Sequence, residues 1–156
     1  MDIDPEKAAV ATALLYTGKK VLGPTLGYIG ENLKTLVEAG APNISRLFHR
    51  AKELLGARLE RNESVPRRVT HDVLEGVSLV DDQLQVEYFA GILAASRSDQ
   101  ASDDRGASLA KLVSRVSLYQ LRAHYTLYSV VQQTYRNNQL RLNRRDHCEK
   151  AITFVH

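Results

Sequence analysis

Ile44-Ser45-Arg46-Leu47-Phe48-His49-Arg50-Ala51-Lys52-Glu53-Leu54-Leu55-Gly56-Ala57-Arg58-Leu59 decides the fold class. Counted from Ile44, the apolar residues Leu47, Phe48, Ala51, Leu54, Leu55 and Leu59 fall at offsets 3, 4, 7, 10, 11 and 15. That recurrence places them on one face of an α-helix, with Arg46, Arg50 and Glu53 opposite. A half-buried strand would need strict alternation, and this stretch has none.

The same spacing recurs on both sides. Upstream, Asp4-Pro5 is a helix opening, because Asp4 can accept from orphan amides and Pro5 suits the first helical position. Leu15, Leu22, Leu26, Ile29, Leu33, Leu36 and Val37 then recur at helical spacing, interrupted by Gly23-Pro24. Proline removes a backbone donor and clashes with the preceding turn, so two helices or a kink are expected, over about 5–22 and 24–38. Gly40-Ala41-Pro42-Asn43 reads as a stop and restart.

Downstream, Val65-Pro66 opens a short helix carrying Val69, Val73, Leu74 and Val77. Asp81-Asp82 marks the next entry, where carboxylates meet exposed amides and the positive end of the helix dipole. Arg97 to Gly106 is polar and turn-rich, the expected mobile loop. A helix over about 107–115 follows, and Ser117-Leu118-Tyr119-Gln120 forms a capping box opening a helix to about Tyr135. The fold expected is all-α: a single bundle-like domain of six or seven short helices over 1–135, with an irregular basic tail over 136–156. Ala151-Ile152-Thr153-Phe154-Val155 has strand-like composition, and three readings stay open for it: pairing with another copy, docking as coil, or the start of a further, truncated segment.

Composition narrows function less than fold. The chain has 156 residues, 44% hydrophobic and 25% charged, too apolar for wholesale disorder. One cysteine, Cys148, rules out an internal disulfide framework and a multi-cysteine zinc site and fits a reducing compartment. The longest uncharged runs, 8–18 and 123–135, are 11 and 13 residues, well short of the roughly 20 a spanning helix needs. An acidic N-terminus is unlike a secretory signal, so a cytoplasmic address is expected. Net charge is +3, divided as +4 over 46–68, +3 over 135–156 and −4 elsewhere. Two basic regions on an acidic body suit an anionic partner.

Chemistry-bearing patterns are sparse. Thr17-Gly18-Lys19-Lys20 lacks both the upstream glycine and the following Ser or Thr of a phosphate loop. Asp146-His147-Cys148 offers three metal-capable side chains in a row, but neighbours rarely converge on one ion, and His49, His71 and His124 stand isolated in sequence. Asp81-Asp82 with Glu87 is explained by helix capping. No catalytic residue, metal site or cofactor is therefore assigned. Arg136, Arg141, Arg144 and Arg145, beside Tyr135, suit phosphate contact and base stacking, and are the nucleic-acid candidates. Gly23, Gly27 and Tyr28 are the interface candidates, because spaced glycines let another helix approach closely.

Three blocks in order resemble one family. They are Lys19-Lys20-Val21-Leu22-Gly23-Pro24 with Leu26-Gly27-Tyr28-Ile29-Gly30-Glu31; Ile44 to Leu55 with Ala51-Lys52; and Val65-Pro66, then Val73 to Asp82, then Phe89-Ala90-Gly91-Ile92-Leu93-Ala94-Ala95. Over about 15–135 they resemble the abortive-infection alpha (Abi-alpha) family of bacteria. The chain departs from that pattern at Phe89, where the family carries tryptophan, and near Ala95, where it carries asparagine. The resemblance implies an all-helical intracellular protein associated with phage resistance, with no catalytic residue to carry over. The expected function is non-enzymatic, acting through protein–protein contacts with a protein partner or a second copy. One route is movement of the N-terminal helices to expose the face from Leu15 to Val37. The alternatives are a nucleic-acid-binding module using the basic tail, or a membrane-surface effector using the N-terminal helices. No small-molecule substrate is expected.

Overall fold

The computed structural model describes residues 5–28, 30–99, 103–139 and 144, and side-chain surroundings for 12, 14–27, 42–99, 103–139 and 144. Six α-helices are present: α1 Pro5–Leu22, α2 Gly30–Leu55, α3 Arg67–Ser78, α4 Gln83–Ala95, α5 Arg105–Arg115 and α6 Leu118–Asn137. Two 3-10 segments, Gly23–Tyr28 and Gly56–Glu60, follow α1 and α2. Among the described residues there is no strand, only an isolated antiparallel bridge between Ser64 and Ser98. The all-α expectation holds.

The chain divides into two compact units, Met1–Val116 and Ser117–His156. In the first, α2 packs on α4, α3 and α1, while α5 packs on α3 and α4. The stripe that began the sequence reading supplies its centre. Ile44, Leu47, Phe48, Ala51 and Leu55 are buried against Val69, Val73, Leu74, Phe89 and Leu93. Burying a side chain of this size stabilises by about 1.5–3 kcal/mol relative to leaving it exposed. Leu54 stays about half exposed, and Leu59 sits partly buried in the second 3-10 segment. Across the polar face, Arg50 donates to Glu87 on α4 at 2.6 Å and to Glu53 at 2.7 Å.

The helix starts follow the capping chemistry. The Asp82 carboxylate accepts the Leu84 amide at 2.8 Å, whereas Asp81 is exposed and plays no such part. At α6, Ser117 Oγ accepts the Gln120 amide and Gln120 Oε1 accepts the Ser117 amide, completing the box. Arg68 lies in the first turn of α3, where the dipole disfavours a cation. Its guanidinium pairs with Asp104 at 2.9 Å.

Two expectations are corrected. Helix α2 does not stop at Gly40-Ala41-Pro42-Asn43 but runs through Pro42. The missing amide and the ring clash cost about 3 kcal/mol. Continuing the helix carries Ile44, Leu47 and Phe48 into the core, and lets the Asn43 side chain donate to the Val80 carbonyl. At Gly23-Pro24 the expected break into two helices holds and α1 ends at Leu22 as expected, but a 3-10 segment follows, so the second helix runs over Gly30–Leu55 and not 24–38. Gly23 takes φ +65°, the left-handed conformation favoured just beyond a helix end.

A further correction concerns Arg97, expected at the edge of a mobile loop. It is buried, and its guanidinium donates to the backbone carbonyls of Arg58, Leu59, Arg61 and Glu63 at 3.0–3.3 Å. Burial pushes this guanidinium below its ordinary pKa, with Glu63 the principal opposing charge. One cation thus satisfies the carbonyls of a non-repetitive segment.

Candidate functional site

In the second unit, α6 runs 20 residues from the Ser117 box, and Leu121 is the buried residue described on it. Leu127 is 67% exposed, Tyr128 53% and Val131 40%, with Tyr119, Tyr125 and Val130 also exposed. His124, Leu127, Tyr128, Val131 and Tyr135 follow at offsets 3, 4, 7 and 11, which places them on one face. The His124 and Tyr128 rings lie nearly parallel with centroids 6.4 Å apart. Contiguous exposed apolar surface of this kind marks interaction sites more often than it occurs on inert monomer faces.

The helix is also charged with one sign. Between Ser117 and Arg145 the sequence has no Asp or Glu and five arginines: Arg122, Arg136, Arg141, Arg144 and Arg145. Arg136 lies exposed in the last turn of α6, where a cation complements the dipole. Arg144 is exposed. Arg141 and Arg145 lie outside the described residues, as do Asp146-His147-Cys148 and the strand-like Ala151 to Val155.

The interface glycines separate into different roles. Gly23 is approached from within its own unit: a Cβ there would lie 2.6 Å from the Glu63 carbonyl oxygen. A shallow cleft of about 380 Å³ opens beside it, lined in part by Tyr16, Lys19, Asn62 and Arg97. Gly27 faces open space, and the Tyr28 side chain lies outside the described set. The glycines that permit the tightest side-chain packing are Gly76 and Gly106. A Cβ on Gly76 would lie 2.6 Å from Phe89 and 2.8 Å from Ser114 Oγ; one on Gly106 would lie 2.1 Å from Ser96 Oγ. They drew no notice in sequence, since each stands alone within its helix.

A third feature lies on α3, where the sequence reading leaves His71 isolated. His71, Asp72 and Glu75 on α3 bring one ligand atom each within 4.8 Å of one another. His71 Nδ1 lies 3.3 Å from Asp72 Oδ1 and 4.0 Å from Glu75 Oε2. The offsets of 1 and 4 along one helical turn were visible in sequence; the burial of Asp72 was not.

Among the described residues, no helix is long and apolar enough to cross a membrane. No known family matches the chain, and neither does any curated protein or solved structure.

Proposed function

We propose that this chain is a non-enzymatic cytosolic protein acting through protein–protein contacts, in a role of the abortive-infection, phage-defence type. Helix α6 is the contact element, and the exposed apolar face of Leu127, Tyr128 and Val131 is the observation that carries the reading. Its partner is a protein offering an apolar groove rimmed with carboxylates. Anchors at offsets 3, 4 and 7 are how an amphipathic helix seats in a groove, and a segment without acidic side chains selects an acidic rim.

Phage challenge of a bacterial host expressing the chain tests the reading. Plating efficiency should fall at least tenfold with the intact chain and recover with Leu127→Glu plus Val131→Glu. Absence of protection by the intact chain, or unchanged protection by the double variant at equal protein level, removes it.

A second reading has its own support. Four tyrosines, Tyr119, Tyr125, Tyr128 and Tyr135, lie on the same acid-free helix, a combination suited to stacking and phosphate contact with single-stranded nucleic acid. Its signature is binding to a labelled single-stranded 20-mer that weakens steeply with salt and loses slope in Arg136→Ala plus Arg144→Ala. No binding at low salt ends it.

A further inference from the structure

We propose that the cleft beside Gly23 binds a nucleoside monophosphate, its phosphate held by Lys19 and Arg61 and its base laid on the ring of Tyr16. The cleft lies within the first unit. One wall is α1, where Tyr16, Lys19, Lys20 and Gly23 fall at offsets 0, 3, 4 and 7 and so share one face. The other wall is the segment after α2, with Glu60, Arg61 and Asn62, and the buried Arg97 lines the cleft from beneath it. At about 380 Å³ the space is near the lower end of the roughly 300–1,000 Å³ usual for small-molecule sites, enough for one nucleotide.

The charge balance points to a phosphate. Lys19, Lys20, Arg61 and Arg97 line the cleft against two carboxylates, Glu60 and Glu63. Lys20 meets Glu60 at 3.0 Å, while Arg61 and Arg58 share Glu63 at 3.7 and 3.1 Å. Among the described residues, neither Lys19 nor Arg97 pairs with a carboxylate. Arg97 is the independent observation. It is 3% exposed, and its bonds to four carbonyls use four of its five N–H groups, which leaves one donor on Nη1 unspent in a buried cation. Burial already pushes this guanidinium below its ordinary pKa, so an anion in the cleft relieves an existing cost. Two uncompensated cations match the charge of a phosphate monoester, about −1.5 to −2 at neutral pH. Lys19 reaches it as a point charge and Arg61 as a planar fork. The exposed Tyr16 ring, one turn before Lys19, offers the base a stacking face.

None of these residues lies on α6, which separates the experiment from the phage challenge. The test is calorimetric titration of the full chain with AMP at low salt, with adenosine and inorganic phosphate as separate arms. One equivalent of AMP should bind with a Kd below about 1 mM, at least tenfold tighter than adenosine or phosphate. Affinity should fall at least tenfold in Lys19→Ala and severalfold in Tyr16→Ala. It should rise severalfold in Glu60→Gln, which removes an opposing carboxylate and releases Lys20. All three side chains are exposed, so the variants keep their fold, and thermal melts check it. Arg136→Ala plus Arg144→Ala should leave AMP binding unchanged, since those arginines belong to the second unit. No binding at about 1 mM AMP, phosphate bound as tightly as AMP, affinity unchanged in Lys19→Ala, or affinity lost in the arginine double variant overturns the proposal.

Discussion

Arg58 and Arg97 exchange hydrogen bonds through each other's backbone. An Arg58 terminal nitrogen donates to the Arg97 carbonyl at 2.7 Å, and an Arg97 terminal nitrogen donates to the Arg58 carbonyl at 3.2 Å. Each guanidinium occupies the other's carbonyl, so two like charges lie close without facing one another. The Ser64–Ser98 bridge lies beside this exchange, each backbone amide donating to the other residue's carbonyl. The segment after α2 and the end of α4 are thereby tied together with little apolar surface.

Arg97→Ala should therefore destabilise the first unit by about 3 kcal/mol, since removing a buried charged donor leaves several carbonyls unsatisfied. Lysine at this position has one head group where the planar fork reached four acceptors, and should recover less than half. Urea unfolding of the two variants against the parent measures both; a loss under about 0.5 kcal/mol, the range of ordinary surface changes, would contradict the role assigned to Arg97.

Gly76→Ala sets helix propensity against packing. Alanine gains about 1 kcal/mol in a helix interior, but its Cβ would lie 2.6 Å from the buried Phe89 ring and 2.8 Å from Ser114 Oγ. Overpacking of a core costs about 1–3 kcal/mol, so the net change should be destabilising. Adding Ser114→Ala removes one of the two clashes and should return part of the loss in the same thermal unfolding assay.

Gly23 and Gly27 should respond in opposite ways to the same substitution. Gly23→Ala meets both a left-handed φ and the Glu63 carbonyl, and should cost at least about 2 kcal/mol. Gly27→Ala enters open space and should change stability by less than about 0.5 kcal/mol. Equal effects in chemical denaturation would remove the distinction.

Asp103 is expected to titrate far below an ordinary aspartate. Its carboxylate accepts from the Arg105 side chain at 2.6–3.1 Å and from the Arg105 amide at 3.2 Å, which holds its pKa down to about 2 from 3.8. A folded-state pKa below the unfolded one gives stability that is fully present above pH 3.8 and lost as pH falls towards 2. Carboxyl ¹³C NMR should place the midpoint near 2, and Arg105→Gln should return it towards 3.8.

Helix α6 should tolerate charge on its exposed face without unfolding. Leu127→Glu is expected to shift stability by less than about 0.5 kcal/mol, whereas truncating buried Leu121 to alanine should cost about 2 kcal/mol or more. Thermal melts of both separate folding from whatever Leu127 contributes to partner contact.

Residues 44–59 and the caps at Asp82 and Ser117 were legible because helix periodicity and capping act within one or two turns, where sequence distance and spatial distance coincide. Pro42 was misread for the converse reason: its local cost is outweighed by burial against helices distant in the chain. The same holds for Arg97, whose acceptors lie 34 to 39 residues away, and for Gly76, whose small size matters only because Phe89 and Ser114 arrive beside it. At α6, sequence alone determined the capping box, the apolar face and the absence of acidic side chains; only the folded chain decided that Leu127, Tyr128 and Val131 remain exposed. On α3 the sequence reading left His71 isolated, although Asp72 and Glu75 lie one and four residues after it. The burial that leaves an Asp72 oxygen without a hydrogen bond belongs to the tertiary structure, because desolvation depends on which helices close over a residue and not on its neighbours in sequence.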